Sequence, residues 1–230
     1  MTTSIRHEVM IFLTGAAVLA LEVMASRILT PYFGVSLFIW AAILSITLTF
    51  LAVGYYGGSI LSKQLDRAQL EFAYLAAPAT SALTIVLGAI AYPVLFPLLT
   101  GTNLVLASFV GSVVLLAFPL VALSAMNPLL VALQRNQDDR GDGGAGRVFF
   151  VSTIGSVAGV LMTAFVFIPL MRNYTGILLL SVALCVLVLV YVAASRVLTK
   201  RQRSILVAGT GLTALLAGAL ALEQQRYLDA

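Results

Sequence analysis

Charged residues are scarce in this sequence, and long stretches of it contain none. They make up 10% of the 230 residues, while 61% are hydrophobic; an ordinary soluble domain is about a quarter charged. A water-soluble fold of this length cannot bury so many apolar side chains in its core, so the excess must face lipid. The composition therefore excludes a soluble globular protein and predicts an integral membrane protein.

Cysteine and histidine are almost absent. Cys185 is the only cysteine, which excludes an intrachain disulfide, and His7 is the only histidine. With just nine Asp and Glu residues, the sequence offers no ligand set for structural zinc or for a haem held by two histidines. We expect no metal site and no cofactor. Nothing predicts a catalytic residue either, because no nucleophile–base pair or acid pair stands out.

Seven apolar stretches are long enough to cross a hydrocarbon core of about 30 Å, which takes about 20 residues of helix. Unbroken apolar runs predict helices, because the strands of a membrane barrel alternate between apolar and polar residues. The predicted spans are residues 9–29, 37–61, 73–98, 104–133, 148–170, 177–194 and 205–222. The sequence thus predicts one all-α domain over residues 1–230, a polytopic transmembrane helix bundle. Kinks or early helix ends are expected at Pro93, Pro97, Pro119 and Pro128.

Basic residues between the spans predict the orientation of the bundle. Ten fall on one side, namely Arg6, Lys63, Arg67, Arg135, Arg140, Arg147, Arg196, Lys200, Arg201 and Arg203. Only Arg172 and Arg226 fall on the other. This bias predicts a cytoplasmic N-terminus in the cell inner membrane, a cytoplasmic loop at 134–147 and, if all seven segments span, a C-terminus outside. Because the positive charge follows topology, we expect a lipid bilayer as partner and no nucleic acid.

Glu22 is the most informative single residue, since it lies well inside the first span. An ionised carboxylate there costs about 2.5–3.5 kcal/mol on insertion scales, so it should face the bundle interior, be protonated or be paired. Arg27 is five residues on and can either pair with Glu22 or extend toward the interface. Two roles fit equally: an intramembrane polar site for a cationic or proton-coupled solute, and a structural ion pair or hydrogen-bond hub.

Two further patterns predict contacts between helices. Gly54 and Gly58 form a GxxxG motif, as do Gly155 and Gly159, and small residues at this spacing let two helix backbones approach closely. Packing within the chain is the favoured use, and a homodimer face is the alternative. A second polar layer, nearer the cytoplasmic side, joins Asn127 and Ser124 to Tyr55 and Tyr56 and to Ser152, Thr153 and Ser156. Interhelical hydrogen bonding is the expected role of that layer.

The run LEVMASRILTPYFG, continuing into GYYGGSILSK, resembles the membrane domain of fused MFS/spermidine synthase proteins. The matching positions are Glu22, Arg27, Pro31, Gly34, Gly54, Gly57 and Gly58, and agreement continues over Pro119 to Pro128 and over GAGRVFFVSTIGSVAGVLMTAFVFIP. The resemblance implies a bundle similar to part of a major-facilitator fold. The sequence departs from that pattern at Ser62 and Lys63, where an Asp-Arg pair is expected. It also lacks the family's aminopropyltransferase-like domain, so the resemblance implies no aminopropyl transfer by this chain alone.

Two functions follow as expectations. The first is an integral membrane subunit that anchors or serves a separate protein partner, either a synthase-like protein or a larger membrane complex, with a homo-oligomer as the other possibility. The second is a carrier for a small polyamine-like cation that uses Glu22 as its anionic contact. A membrane-embedded enzyme acting on lipid ranks below both, because no catalytic constellation supports it.

Overall fold

Seven long helices make up nearly all of the computed structural model, which describes residues 3–135, 144–195 and 197–229. They are α1 (Thr3–Phe33), α2 (Leu37–Gln64), α3 (Arg67–Leu99), α4 (Leu104–Arg135), α5 (Ala145–Leu170), α6 (Asn173–Ala194) and α7 (Lys200–Asp229). Each contains a segment long and apolar enough to cross a membrane. No strand occurs among the described residues, and the predicted all-α bundle of seven spans is confirmed.

Several helices are longer than the predicted spans, because hydropathy marks only the part that crosses lipid. α3, for example, begins six residues before the predicted span. At its start, the Asp66 side chain accepts a hydrogen bond from the Gln69 backbone N–H, and the Gln69 side chain accepts one from the Asp66 backbone N–H. This capping box satisfies backbone groups that a helix start leaves unpaired. α4 and α5 also extend into the predicted loop at 134–147, of which residues 136–143 lie outside the described part.

α1 and α4 form the centre of the bundle. In their most apolar segments, 56% and 50% of the residues are buried, against 17% in α5 and 22% in α7. α1 packs along α5 and also contacts α4 and α6. α4 packs against α2 and α3, and α6 packs against α7. Lipid tails are as apolar as a protein core, so the outer helices expose Leu, Val and Phe to them without penalty.

Of the kinks or early helix ends expected at the prolines, the early ends do not occur. α3 continues through Pro93 to Leu99, and α4 continues through Pro119 and Pro128 to Arg135. Transmembrane helices tolerate proline because neighbouring groups and small local changes in helix geometry satisfy the freed backbone groups.

Two prolines coincide with a wider helical turn. The π-helical segments Val113–Ala117 in α4 and Thr163–Phe167 in α5 each end two residues before a proline, Pro119 and Pro169 respectively. A proline ring collides with the carbonyl four residues earlier in a regular α-helix. A π-helical turn shifts the pairing of those carbonyls, which explains the same local solution in both helices.

Side-chain contacts at both ends of the bundle connect neighbouring helices. At the end where α1 begins, the Tyr191 hydroxyl donates to the Arg6 carbonyl, and the Tyr74 hydroxyl donates to the His7 carbonyl at 3.1 Å. At the other end, an aromatic cluster joins α1, α3 and α6, and its members are Tyr32, Phe33, Tyr92, Phe96 and Tyr174. We call the first of these the basic end, since the described residues Lys63, Arg135 and Lys200 also lie at the helix termini there.

Candidate intramembrane polar site

The glycines of the GYYGG segment bring α2 against α4. A Cβ added to Gly58 would lie 2.6 Å from the Ala125 carbonyl oxygen and 2.7 Å from Pro128 Cγ. A Cβ added to Gly54 would overlap the Ser124 side chain. No larger residue fits at either position without moving the helices apart, and this approach places α2 side chains beside those of α4.

The second GxxxG motif brings α5 against α1. A Cβ on Gly155 would overlap the backbone carbonyl of Phe12, and one on Gly159 would overlap that of Ala16. All four motif glycines therefore lie against a neighbouring helix of the same chain.

The α1 side of this contact depends on Gly15, which sequence reasoning missed. A Cβ there would overlap the Ser152 carbonyl, and the Ser156 hydroxyl donates to the Gly15 carbonyl at 2.9 Å. Gly15 belongs to no GxxxG motif, so spacing within the sequence gave no sign of its role.

These close approaches enclose a polar cavity of 220 Å³ between α1, α2, α4 and α5. Its lining comprises Thr14, Gly15, Val18, Leu19, Leu51, Tyr55, Leu123, Ser124, Asn127, Phe149, Ser152, Thr153 and Ser156. The structure thus brings Tyr55, Asn127 and Ser152 of the predicted second polar layer around one space. Tyr56 of that layer is not part of it, because its side chain is 73% exposed on the outer face of α2.

Four hydroxyl groups in the cavity lining have their protons engaged and their oxygens free to accept. The hydroxyls of Thr14, Ser124, Thr153 and Ser156 each donate to a backbone carbonyl at 2.8–3.3 Å. A hydroxyl has one proton to donate and two lone pairs to accept with, so these oxygens remain available as acceptors. The cavity therefore suits a ligand that carries several donors.

Glu22 lies one helical turn beyond this cavity. It follows Val18 by four residues and Gly15 by seven, a spacing that keeps all three on one face of α1. Its side chain is only 9% exposed, and within the described part of the chain it makes no ion pair or hydrogen bond. Side chains on a helix lean toward its N-terminus, which for Glu22 is the direction of the cavity.

Thr47 of α2 lies at the same level. It precedes Leu51 by four residues and Tyr55 by eight, so it continues the cavity-lining face of α2. α1 and α2 run antiparallel after a turn of three residues, and counting from this turn gives Thr47 and Glu22 a similar depth in the bundle. Its side chain is 3% exposed, and its hydroxyl has no hydrogen-bond partner. Two buried polar groups therefore lie without partners just beyond the cavity.

Arg27 does not join this site. Its residue is exposed, and no ion pair connects it to Glu22 among the described residues. The backbone carbonyl of Arg27 accepts a hydrogen bond from Asn173 at 3.3 Å. Of the two arrangements that the sequence left open for Arg27, the structure has the extended one.

A second cavity, between α1, α5 and α6, is apolar. It measures 260 Å³ and is lined by alanine, leucine and phenylalanine side chains with one polar residue, Thr163. The Thr163 hydroxyl has no partner, but none of the lining residues is charged. This cavity suits a hydrocarbon chain and offers no group for chemistry.

No group of three metal-binding side chains occurs in the part of the chain that the structure describes. The candidate site is therefore the polar cavity together with Glu22 and Thr47, and we call it the Glu22 site.

The sequence matched no known protein family and no curated protein, and the structure matched no solved structure.

Proposed function

We propose that this chain binds and carries a small cation with several N–H donors, such as a polyamine, within the membrane. The observation that carries the proposal is Glu22, a residue that is only 9% exposed, has no ion-pair or hydrogen-bond partner among the described residues, and lies one helical turn beyond a cavity with several hydroxyl oxygens. A cationic ligand would neutralise Glu22 while its N–H groups bonded to the hydroxyl oxygens.

The energetics favour a ligand role for Glu22 over a structural one. A charge at this depth costs about 2.5–3.5 kcal/mol unless it is compensated. A structural hub would compensate it through bonds to neighbouring helices, and Glu22 has none among the described residues. Protonation of the carboxyl removes this cost while the site is empty, and a bound cation compensates the ionised form.

The proposed orientation follows the distribution of basic residues. We place the basic end of the bundle in the cytoplasm, in the cell inner membrane, with the C-terminus outside. The cavity, which Phe149 and Thr153 of α5 help to line, is then nearer the cytoplasmic surface, and Glu22 lies farther in.

A second candidate function is that of a subunit related to the membrane half of fused MFS/spermidine synthases, working with a separate partner or a second copy. The observation that supports it is that α5 has the lowest buried fraction of the seven helices, which leaves a face open to a second membrane protein as well as to lipid. This least buried helix exposes a stripe of Phe150, Ile154, Val157, Leu161 and Phe165. Alternating access in facilitators uses paired repeats, so a bundle of seven helices would need such a partner to complete it. A lone monomer after gentle extraction would contradict this candidate.

Uptake into proteoliposomes tests the carrier proposal. We expect radiolabelled spermidine to accumulate with the wild-type protein and accumulation to fall to the protein-free level with Glu22→Gln. Glu223→Gln is the matched control, because it removes one carboxylate from an exposed position and should leave uptake unchanged. Equal uptake by wild type and Glu22→Gln would remove Glu22 from the mechanism, and no uptake by wild type would overturn carriage of this probe.

A further inference from the structure

A larger cavity opens at the basic end of the bundle. It measures 550 Å³ and lies between the ends of α2, α3, α4 and α5. Its lining comprises Ser59, Ser62, Lys63, Leu65, Leu70, Pro128, Val131, Ala132, Arg135, Ala145 and Phe149. We call this space the vestibule. Lys63 and Arg135 are exposed at its rim, which indicates that its mouth faces water.

The vestibule and the polar cavity lie along the same two helix faces. On α2, Leu51 and Tyr55 line the polar cavity and Ser59 and Lys63 line the vestibule, at intervals of four residues. On α4, the same alignment holds for Leu123 and Asn127 in the cavity and for Val131 and Arg135 in the vestibule. Residues four apart share a helix face, so the two spaces follow one line from the basic end toward Glu22.

Among the described residues, Phe149 of α5 is the one side chain that lines both spaces. Its ring meets the Tyr55 ring edge-on, with centroids 5.6 Å apart. α2 and α5 share no extensive backbone packing, so this ring pair closes the gap between them.

Phe149 also has room to move. Its side chain is 41% exposed, and α5 is the least buried helix of the bundle. Rotation of the Phe149 side chain alone would separate the two rings, so opening requires no rearrangement of the helices.

We propose that the Phe149–Tyr55 ring pair is a gate between the vestibule and the polar cavity, on the path that connects the basic end with the Glu22 site. This inference rests on the proposed function for the identity of the solute. The existence of the gate does not depend on the solute, and its test can therefore use a probe that needs no binding at Glu22.

Cysteine accessibility tests the gate. The chain has one cysteine, so Cys185→Ala gives a thiol-free background. In that background, Ser152→Cys reports on the polar cavity and Ser62→Cys on the vestibule. The probe is a membrane-impermeant cationic methanethiosulfonate added to vesicles of each orientation, and the measured quantity is the labelling rate from the basic side.

We expect Phe149→Ala to raise the labelling rate at position 152 at least tenfold and to leave the rate at position 62 unchanged. Phe150→Ala is the matched control. Phe150 is the adjacent aromatic residue and is 65% exposed on the outer face of α5, so its removal should change neither rate. If Phe149→Ala does not give a folded protein, Tyr55→Leu removes the other ring and should act in the same direction.

An unchanged rate at position 152 in these gate variants would overturn the gate. So would a rate that was already equal to that at position 62 in the parent protein. Either result would leave the spermidine uptake experiment unaffected. Conversely, gated labelling in a protein that carries no spermidine would support the gate and contradict the proposed solute.

Discussion

Adjacent glycines in α2 provide a matched test of the helix packing. An alanine at position 58 would put its Cβ 2.6 Å from the Ala125 carbonyl oxygen, whereas ordinary contact begins at 3.4 Å. α2 and α4 would have to separate by about 0.8 Å. An alanine at position 57 would meet no atom within 4 Å. The same substitution one residue apart is therefore strained in one case and unhindered in the other.

The two substitutions are expected to change the unfolding temperature differently. Overpacking costs about 1–3 kcal/mol, and in a protein of this size each kcal/mol lowers Tm by about 2–4 °C. We expect Gly58→Ala to unfold about 2–12 °C below wild type. Gly57→Ala should unfold at the wild-type temperature or slightly above, because alanine favours a helix over glycine by about 0.5–1 kcal/mol.

Cys185 supplies the assay. It is the only thiol and is fully buried in α6. A thiol-reactive fluorophore therefore reports unfolding of the protein in detergent, and no cysteine has to be introduced. Equal destabilisation by the two substitutions would refute the close approach of α2 and α4, and so would a Gly58→Ala variant as stable as wild type.

Three further predictions use simple readouts. Ser181 donates to the Ala82 carbonyl at 2.8 Å between α6 and α3, and because such bonds contribute about 0.6 kcal/mol in membranes, Ser181→Ala should lower Tm by about 1–2 °C in the same thiol assay; an unchanged Tm would contradict it. Arg147 pairs with Glu8 at 3.0 Å but is 68% exposed, so Arg147→Gln should cost less than about 1 kcal/mol, and a larger loss would show that this pair matters more than its exposure implies. Alkaline phosphatase fused after residue 230 should be active, since the proposed orientation puts the C-terminus outside; an inactive fusion with an active one in the α1–α2 turn would indicate an even number of spans.

The seven spans could be predicted because each is an apolar run bounded by charged or turn-forming residues. α2, for example, begins at Leu37. The turn before it contains Gly34, which has φ 79°, and Ser36, whose side chain accepts a hydrogen bond from the Ile39 backbone. The close contacts at Gly54 and Gly155 also lie at a spacing that is visible in the sequence. In both cases the signal is local, so one segment suffices to read it.

The inner and outer faces of the helices could not be predicted, because a membrane helix is apolar on both. Ser45 and Thr47 are two polar residues in the same apolar stretch of α2, yet Ser45 is exposed and Thr47 is buried. Ser108 and Ser112 of α4 are buried, but their hydroxyls donate to carbonyls of their own helix. Nor does the sequence contain the register between helices, which sets Glu22 beside the cavity and Phe149 against Tyr55.

Equilibrium binding of spermidine to the purified protein tests the central claim most directly, since it isolates the contact with Glu22 from transport and gating. A hydrogen bond to a charged group contributes about 1.5–3 kcal/mol, and each 1.4 kcal/mol is about a tenfold change in Kd. We predict that Glu22→Gln weakens binding at least tenfold and that Glu223→Gln binds as wild type does. Equal affinity of wild type and Glu22→Gln would contradict the assignment of Glu22 as the anionic contact.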